Sequence, residues 1–166
     1  AVGLLLGETP ALIAQGLVSY QASGMRQNIY EQDGYHIYAD CYNASPDAME
    51  ATLSVLGGMA GDGRRFAVLG SMLELGDYAE EGHRRAGRAA AQYADALYAY
   101  GPDAAAMVAG AREKGMEHAY AFDDQTALVA ALREDAKKGD ALLFKGSRGM
   151  RMERALAMFL GEEVEA

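Results

Sequence analysis

Residues 35–46 read YHIYADCYNASP, and this stretch decides the fold class of the chain. Its first five residues, Tyr35–Ala39, form a short run of side chains that favour a β-strand. Ser45 followed by Pro46 is typical of a helix start, because serine caps free backbone N–H groups and proline suits the first helical position. Apolar residues then recur at helical spacing, at Met49, Leu53, Leu56 and Ala60. The stretch therefore predicts a strand, a polar loop and a helix in succession.

The same alternation continues to the end of the chain. Further strands are predicted at Arg65–Gly70, Ala96–Tyr100, Ala119–Phe122 and Ala141–Lys145. Helices are predicted at about 78–94, at 103–114, after Asp124 and at Met150–Leu160, and Asp77 with Glu80 predicts a capping box for the first of them. Strands and helices that alternate at this spacing indicate βαβ crossovers. We predict an α/β, Rossmann-like three-layer domain with a mostly parallel sheet.

One strand of this sheet is predicted to be antiparallel. Gln27–Tyr30 is a β-prone run that precedes Tyr35–Ala39. The two runs are separated by a short polar segment that ends in Asp33-Gly34, a pair of residues typical of a tight hairpin turn. The hairpin would place Gln27–Tyr30 at one side of the sheet.

Residues 1–22 differ from this pattern. Thr9-Pro10 is another capping residue followed by proline, and the residues after it have helical spacing, so a helix is predicted at about 9–20. This helix has no strand partner of its own, and the chain begins with apolar residues and no methionine. We expect 1–22 to be the helical tail of a preceding domain and 23–166 to form the α/β domain.

Composition narrows the classes of function. A chain of 166 residues suggests one domain, and its formal net charge of -9 disfavours a nucleic-acid partner. Cys41 is its single cysteine, so no internal disulfide can form, and its setting favours a small buried side chain over a nucleophile. The three histidines have no metal-ligand spacing, and no apolar run is long enough for a membrane span or fits a signal peptide. A cytoplasmic protein is expected.

Three loops at predicted strand ends carry the candidate chemistry. They are 40–46, 70–76 and 145–149, and parallel strands bring such loops to one edge of a sheet, where ligands of open α/β sheets bind. Asp40 and Asn43 could also form an ordinary turn, and core packing explains Met72 as well as a ligand wall does. Lys145 and Arg148 lie just before a helix and favour a carboxylate or phosphate. Both standard glycine-rich phosphate loops are missing from the sequence, so if the chain binds ATP, another domain must hold the phosphates.

Four segments in order resemble one family. They are residues 24–27 (GMRQ), 40–46 (DCYNASP), 67–76 (AVLGSMLELG) and 145–153 (KGSRGMRME). Together they are similar to the Mur ligases of cell-wall synthesis, within them to those that join D-alanyl-D-alanine to a UDP-N-acetylmuramoyl-tripeptide. The likeness runs from about residue 24 to residue 160, and 1–22 resembles the end of the family's central ATPase domain. It implies that 23–166 is the C-terminal domain of a three-domain enzyme that uses ATP and magnesium.

The resemblance also implies roles for individual residues. The family phosphorylates the carboxylate of the tripeptide, and the amine of the dipeptide then attacks the acyl phosphate. The positions that match nucleotide contacts are Arg26, Asp40 and Asn43. Those that match the peptide or dipeptide side are Ser71, Met72, Glu74, His83, Lys145, Ser147 and Arg148. No catalytic residue and no metal ligand is expected in this chain, which alone should be inactive. Its partners would be the two substrates and the other two domains, with no nucleic acid and no membrane.

The sequence departs from the family at two positions. Ser71 stands where an aspartate is usual, which leaves the role of that position open, and Ser45 stands where an asparagine is usual, although both are good helix caps. Two other classes compete with a ligase domain. A receiver-type signalling domain would need an aspartate after the central strand, where this chain has Tyr100-Gly101-Pro102. A non-catalytic α/β binding or interaction module stays open as the alternative.

Overall fold

The computed structural model describes residues 2–18, 26–59 and 61–162. Six strands form one sheet in the order β1-β2-β6-β3-β4-β5. The pair β1 and β2 is antiparallel, and every other neighbouring pair is parallel. The strands are β1 Asn28–Gln32, β2 Tyr35–Asp40, β3 Arg65–Gly70, β4 Ala96–Tyr100, β5 Ala119–Phe122 and β6 Ala141–Lys145. The predicted mostly parallel sheet with one antiparallel strand is confirmed.

Helices cover both faces of the sheet. One apolar cluster joins the sheet to α3 (Pro46–Leu56), α4 (Ala79–Tyr93) and α5 (Ala104–Glu113). The opposite cluster joins it to α6 (Gln125–Asp135) and α7 (Met152–Leu160). Alternate residues of each strand pack into the two clusters, because successive side chains of a strand point to opposite faces. The three-layer prediction is therefore confirmed.

The hairpin is closed by the turn that its sequence predicts. Gln32 pairs with Tyr35, so Asp33 and Gly34 form a two-residue connection. Both have positive φ angles, 53° and 88°, which is the backbone of a type I′ turn. Asparagine, aspartate and glycine tolerate this region best, so the local sequence sets the strand register.

Within the α/β domain, two predicted helix caps form and a third does not. Ser45 Oγ accepts a hydrogen bond from Ala48 N (3.3 Å), and Asp124 Oδ1 accepts one from Ala127 N (2.8 Å). The predicted capping box at Asp77 is wrong: a 3-10 turn, Gly76–Tyr78, runs directly into α4, and no side chain caps that helix. Asp77 lies inside a helical turn and not at the extended position that a capping residue occupies.

Two short helices precede the α/β domain, α1 (Val2–Leu5) and α2 (Pro10–Val18). Thr9 Oγ1 accepts a hydrogen bond from Leu12 N (3.3 Å), as its capping role requires. None of residues 2–17 is buried. The expected end of the helix near residue 20 and the expected boundary at 22–23 lie outside the described residues, so the division into 1–22 and 23–166 stays a prediction. No helix in the described ranges is long and apolar enough to cross a bilayer.

The helices α4 and α5 cross in backbone contact. A Cβ added at Gly87 would lie 1.8 Å from the carbonyl oxygen of Met107, and one added at Gly110 would lie 2.0 Å from that of Arg84. Neither carbonyl can move away without distorting its helix. The absence of a side chain at these two positions therefore fixes how closely the helices approach.

We expect Gly87→Ala to lower the free energy of unfolding by about 3 kcal/mol or more, because the new methyl group overpacks against backbone. Gly58→Ala is the matched control, since its Cβ would make an ordinary 3.6 Å contact with Val55 O. Urea denaturation of the three proteins measures the difference. Equal losses in the two variants would contradict the close crossing.

Candidate functional site

The three candidate loops lie side by side. In the sheet order, β6 lies between β2 and β3, and all three strands are parallel. Their carboxyl ends therefore open on one edge, which brings together 40–46, 70–76 and 145–149. The prediction that these loops share an edge is confirmed.

A buried ion pair joins the ends of β2 and β6. Asp40 and Lys145 are partners in the strand register, and Lys145 Nζ donates a hydrogen bond to Asp40 Oδ2 at 2.6 Å. Lys145 is 1% exposed and Asp40 is 8% exposed. Taking both charges out of water is costly, and only good geometry with further hydrogen bonds can offset that cost.

Those further hydrogen bonds are present. Lys145 Nζ also donates to the carbonyl oxygen of Asn43 at 2.8 Å, and Gln27 N donates to Asp40 Oδ1 at 3.3 Å. Gln27 has a φ of 50°, so its backbone takes the sparsely populated left-handed region where this bond forms. A carboxylate offers about four lone-pair sites, so Asp40 keeps capacity to accept hydroxyl donors from a ligand.

A cavity of about 360 Å³ opens beside the ion pair. Arg26 places its guanidinium carbon 3.7 Å from the centroid of the Tyr42 ring, a close cation–π contact at the mouth. The lining includes Arg26, Gln27, Asp40, Tyr42, Asn43 and Lys145. The structure thus brings together the three residues predicted for the nucleotide. The ion-pair partner of Asp40 is Lys145, and the guanidinium group of Arg26 contacts the Tyr42 ring.

Lys145 is one of the residues that line this cavity. The resemblance implies a role for it on the peptide side, which stays a prediction; in the structure its ammonium group donates to Asp40 and to the carbonyl oxygen of Asn43. Sequence reasoning also missed Gln27 and Tyr42. Gln27 acts through its backbone, which no side-chain pattern reveals, and Tyr42 could have been noticed as an aromatic residue inside the Asp40 loop.

Four of the residues predicted for the peptide side are buried in or beside the 71–76 loop. Ser71 and His83 are 0% exposed, Met72 is 1% exposed and Ser147 is 6% exposed. Met72 N donates to His83 Nε2 at 2.8 Å, and Leu73 N donates to Ser147 Oγ at 2.9 Å. Two of these side chains, His83 and Ser147, bond to the backbone of the loop from the protein interior. Because all four are buried, the structure gives no support to direct contact between them and a substrate.

Ser71 has a clear structural position. Its hydroxyl accepts a hydrogen bond from Asp103 N at 3.0 Å and lies 3.4 Å from the carbonyl oxygen of Tyr100, to which it can donate. The residue therefore ties the end of β3 to the start of α5. An aspartate at this position could accept the same backbone N–H, so the change to serine keeps this bond.

Two predicted residues reach solvent. Glu74 is exposed and has a φ of 66°, in the left-handed region that non-glycine residues rarely adopt. The side chain of Arg148 is 63% exposed and pairs with Glu153 at 3.1 Å. These two charges lie in the loops after β3 and β6.

Cys41 follows Asp40 but carries no chemistry of its own. Its side chain is fully buried, and its thiol lies 3.4 Å from the carbonyl oxygen of Phe144, to which it can donate. Burial raises the pKa of the Cys41 thiol to about 12. The thiol is therefore protonated at neutral pH, as expected of a small buried side chain and not of a nucleophile.

Comparison with known proteins gives the family. Residues 25–148 match the family described as Mur ligase, glutamate ligase domain. The chain belongs to this family. The UDP-N-acetylmuramoyl-tripeptide–D-alanyl-D-alanine ligase of Bacillus subtilis (strain 168) is 36% identical over 156 residues, which are 92% of this chain and 34% of the relative.

Solved structures agree with this Mur ligase assignment. The MurF ligase from Thermotoga maritima in complex with ADP matches with a TM-score of 0.80 and 34% identity over 97% of this chain and 36% of that chain. MurF from Acinetobacter baumannii matches with a TM-score of 0.81 and 28% identity over 97% of this chain and 35% of that chain. This Mur ligase domain thus spans about a third of the length of the relatives it matches.

We expect Asp40→Ala to lower the free energy of unfolding of this domain by about 3–5 kcal/mol, because it leaves a buried ammonium group without its counter-ion. Adding Lys145→Met should recover most of that loss, since no charge is then buried. Urea denaturation measures both.

The matched control is Asp47→Ala, which removes a surface pair with Arg85 and should cost less than about 1 kcal/mol. A double variant as unstable as Asp40→Ala alone would show that the ion pair is not what Asp40 contributes.

Proposed function

We propose that this chain is the C-terminal domain of a cytoplasmic, ATP-dependent ligase that adds D-alanyl-D-alanine to UDP-N-acetylmuramoyl-tripeptide. The observation that carries the proposal is the cavity built on Asp40 and Lys145, in a chain 36% identical to a ligase of that name. A second relative, 34% identical, was solved with ADP. The non-catalytic module is the weaker alternative, because these matched relatives carry the names of ligases.

The cavity has the chemistry of a nucleoside site. The carboxylate of Asp40 can accept hydrogen bonds from both ribose hydroxyl groups, and the hydrogen bond from Lys145 orients that carboxylate. The guanidinium carbon of Arg26 lies over the Tyr42 ring, and its N–H groups would be donors to oxygen atoms of the nucleotide. Asn43 lies in the same loop and would add an amide contact. Together these residues would hold the sugar end of ATP.

The other half of the edge would face the peptide substrates. Glu74 and Arg148 are exposed there and carry opposite charges, as the two ends of a dipeptide zwitterion require. Arg148 would have to leave Glu153 to meet a carboxylate, and its exposure makes that exchange easy. The buried residues behind the loop would act by holding it in place.

The phosphate-transfer step needs groups that we assign to other domains. Among residues 2–18, 26–59 and 61–162, no three histidine, cysteine or acidic side chains are grouped as a metal site requires. Magnesium and a grip on the γ-phosphate supply the charge stabilisation of acyl phosphate formation. In this proposal the N-terminal and central domains hold the UDP-sugar, the metal and the phosphates, and this chain closes over the nucleotide and the dipeptide.

The purified 166-residue chain should not release phosphate from ATP above background, even with both peptide substrates present, since the phosphate grip is assigned to other domains. A coupled phosphate assay measures this, with the longer protein that contains the chain as the positive control. Phosphate release by the 166-residue chain that depends on both substrates would contradict the proposed division of labour.

In the longer enzyme, Asp40→Asn should raise the KM for ATP by about 10- to 100-fold. The estimate corresponds to one lost hydrogen bond to a charged group, roughly 1.5–3 kcal/mol. The KM for the UDP-tripeptide should change by less than about twofold, because the proposal assigns Asp40 to the nucleotide and not to that substrate.

Asp47→Asn is the matched control, an exposed acid seven positions further along that lies outside the cavity. Melting temperatures of both variants separate binding from folding. A lower melting temperature with an unchanged KM for ATP in the folded enzyme would leave Asp40 with a structural role only.

A further inference from the structure

We propose that His83 is a positioning residue that fixes the 71–76 loop by accepting a hydrogen bond from its backbone. The inference rests on the proposed function, in which this loop faces the peptide substrates. It assigns His83 a task that needs one particular ring nitrogen and not contact with a substrate.

Two backbone groups determine the protonation of the ring. His83 Nδ1 lies 2.6 Å from the carbonyl oxygen of Ala79, which can only accept, so Nδ1 must carry a hydrogen. His83 Nε2 lies 2.8 Å from Met72 N, which can only donate, so Nε2 must present its lone pair. The imidazole is therefore neutral when both bonds are made, and its two nitrogens have different tasks.

The carboxylate of Asp103 does not take part in this arrangement. Asp103 Oδ2 lies 3.7 Å from His83 Nε2, which is too far for a hydrogen bond. The lone pair of Nε2 is already used by Met72 N–H. A salt bridge to Asp103 would require a proton on Nε2 and would break the bond to the loop.

The bond from His83 is one of two on consecutive amide groups. Met72 N–H is held by His83 on α4, and Leu73 N–H is held by Ser147 in the loop after β6. The next residue is Glu74, whose backbone takes the left-handed region. Because the two amide groups directly before Glu74 are fixed, the position of Glu74 at this edge of the sheet is fixed as well. Without the imidazole acceptor, Met72 N–H would be buried with no partner, and the loop would have to open to satisfy it.

Two substitutions by amide side chains test the hydrogen bonds of the two ring nitrogens separately. In His83→Gln the amide oxygen can occupy the place of Nε2 and still accept from Met72 N–H. In His83→Asn the amide nitrogen can occupy the place of Nδ1 and still donate to Ala79, but no acceptor reaches Met72. Both replace the ring by the same chemical group, so they differ mainly in which bond survives.

The first measurement is amide hydrogen exchange in the 166-residue chain. We expect His83→Asn to reduce the protection of the Met72 amide by about tenfold, as one lost buried hydrogen bond would. His83→Gln should keep most of that protection. The Arg65 amide, which donates to Asp95 Oδ2 at the opposite end of β3, is the internal reference and should not change in either variant. Equal protection of Met72 in the two variants would overturn the inference.

The second measurement is steady-state kinetics in the longer enzyme. His83→Asn should lower kcat/KM for D-alanyl-D-alanine by about 10- to 100-fold, because a displaced loop misplaces the groups that meet the dipeptide. The KM for ATP should stay within about twofold, and His83→Gln should restore most of the dipeptide activity.

A destabilised control distinguishes positioning from general loss of structure. Val129→Ala removes a buried side chain of α6 on the opposite face of the sheet. If this control lowers dipeptide kcat/KM as much as His83→Asn does, the effect is one of stability and the inference fails. If the unmodified enzyme shows no dipeptide-adding activity, the proposed function fails, and the exchange experiment still decides whether His83 fixes the loop.

Discussion

The edge of the sheet is organised by the ion pair between Asp40 and Lys145. The two residues end neighbouring parallel strands in register, so their side chains emerge beside each other. Neither charge could be buried here without the other. Their remaining hydrogen bonds reach the backbone of Gln27 and Asn43, which fixes the start of the hairpin and the loop after β2 around the pair. The cavity beside it depends on this one contact.

The end of β6 connects the cavity to the 71–76 loop. Gly146 follows Lys145, and a Cβ there would lie 3.1 Å from the Cα of Gly70, so the loop after β6 can pass close to the end of β3 only without a side chain. Ser147 then accepts from Leu73 N–H, while His83 holds Met72 from the other side. The cavity and the 71–76 loop therefore share one short segment, so under the proposed function the nucleotide and the dipeptide would lie next to each other.

Much of this arrangement could be predicted from the sequence, because it depends on neighbours a few positions away. Local backbone preferences explain the turn at Asp33-Gly34, the cap at Ser45 and the alternation of strands and helices. Parallel strands in βαβ units carry their loops at one edge, so the grouping of the three candidate loops also followed. The capping box at Asp77 failed for the same local reason, since a 3-10 turn occupies the place where an extended residue was expected.

Tertiary structure decided the rest. The sequence by itself determined the α/β class, the elements and the segments that carry the chemistry, because hydrophobic period and turn residues act over short distances. It did not determine that β6 inserts between β2 and β3, and only that order brings Lys145 to Asp40 across 105 residues of chain. Nor could spacing show that His83 is fully buried and bonded to a loop amide. The first contact joins the ends of two strands that are far apart in the chain, and the second joins a loop to a helix within one crossover. The geometry of both exists only once the sheet and α4 have packed.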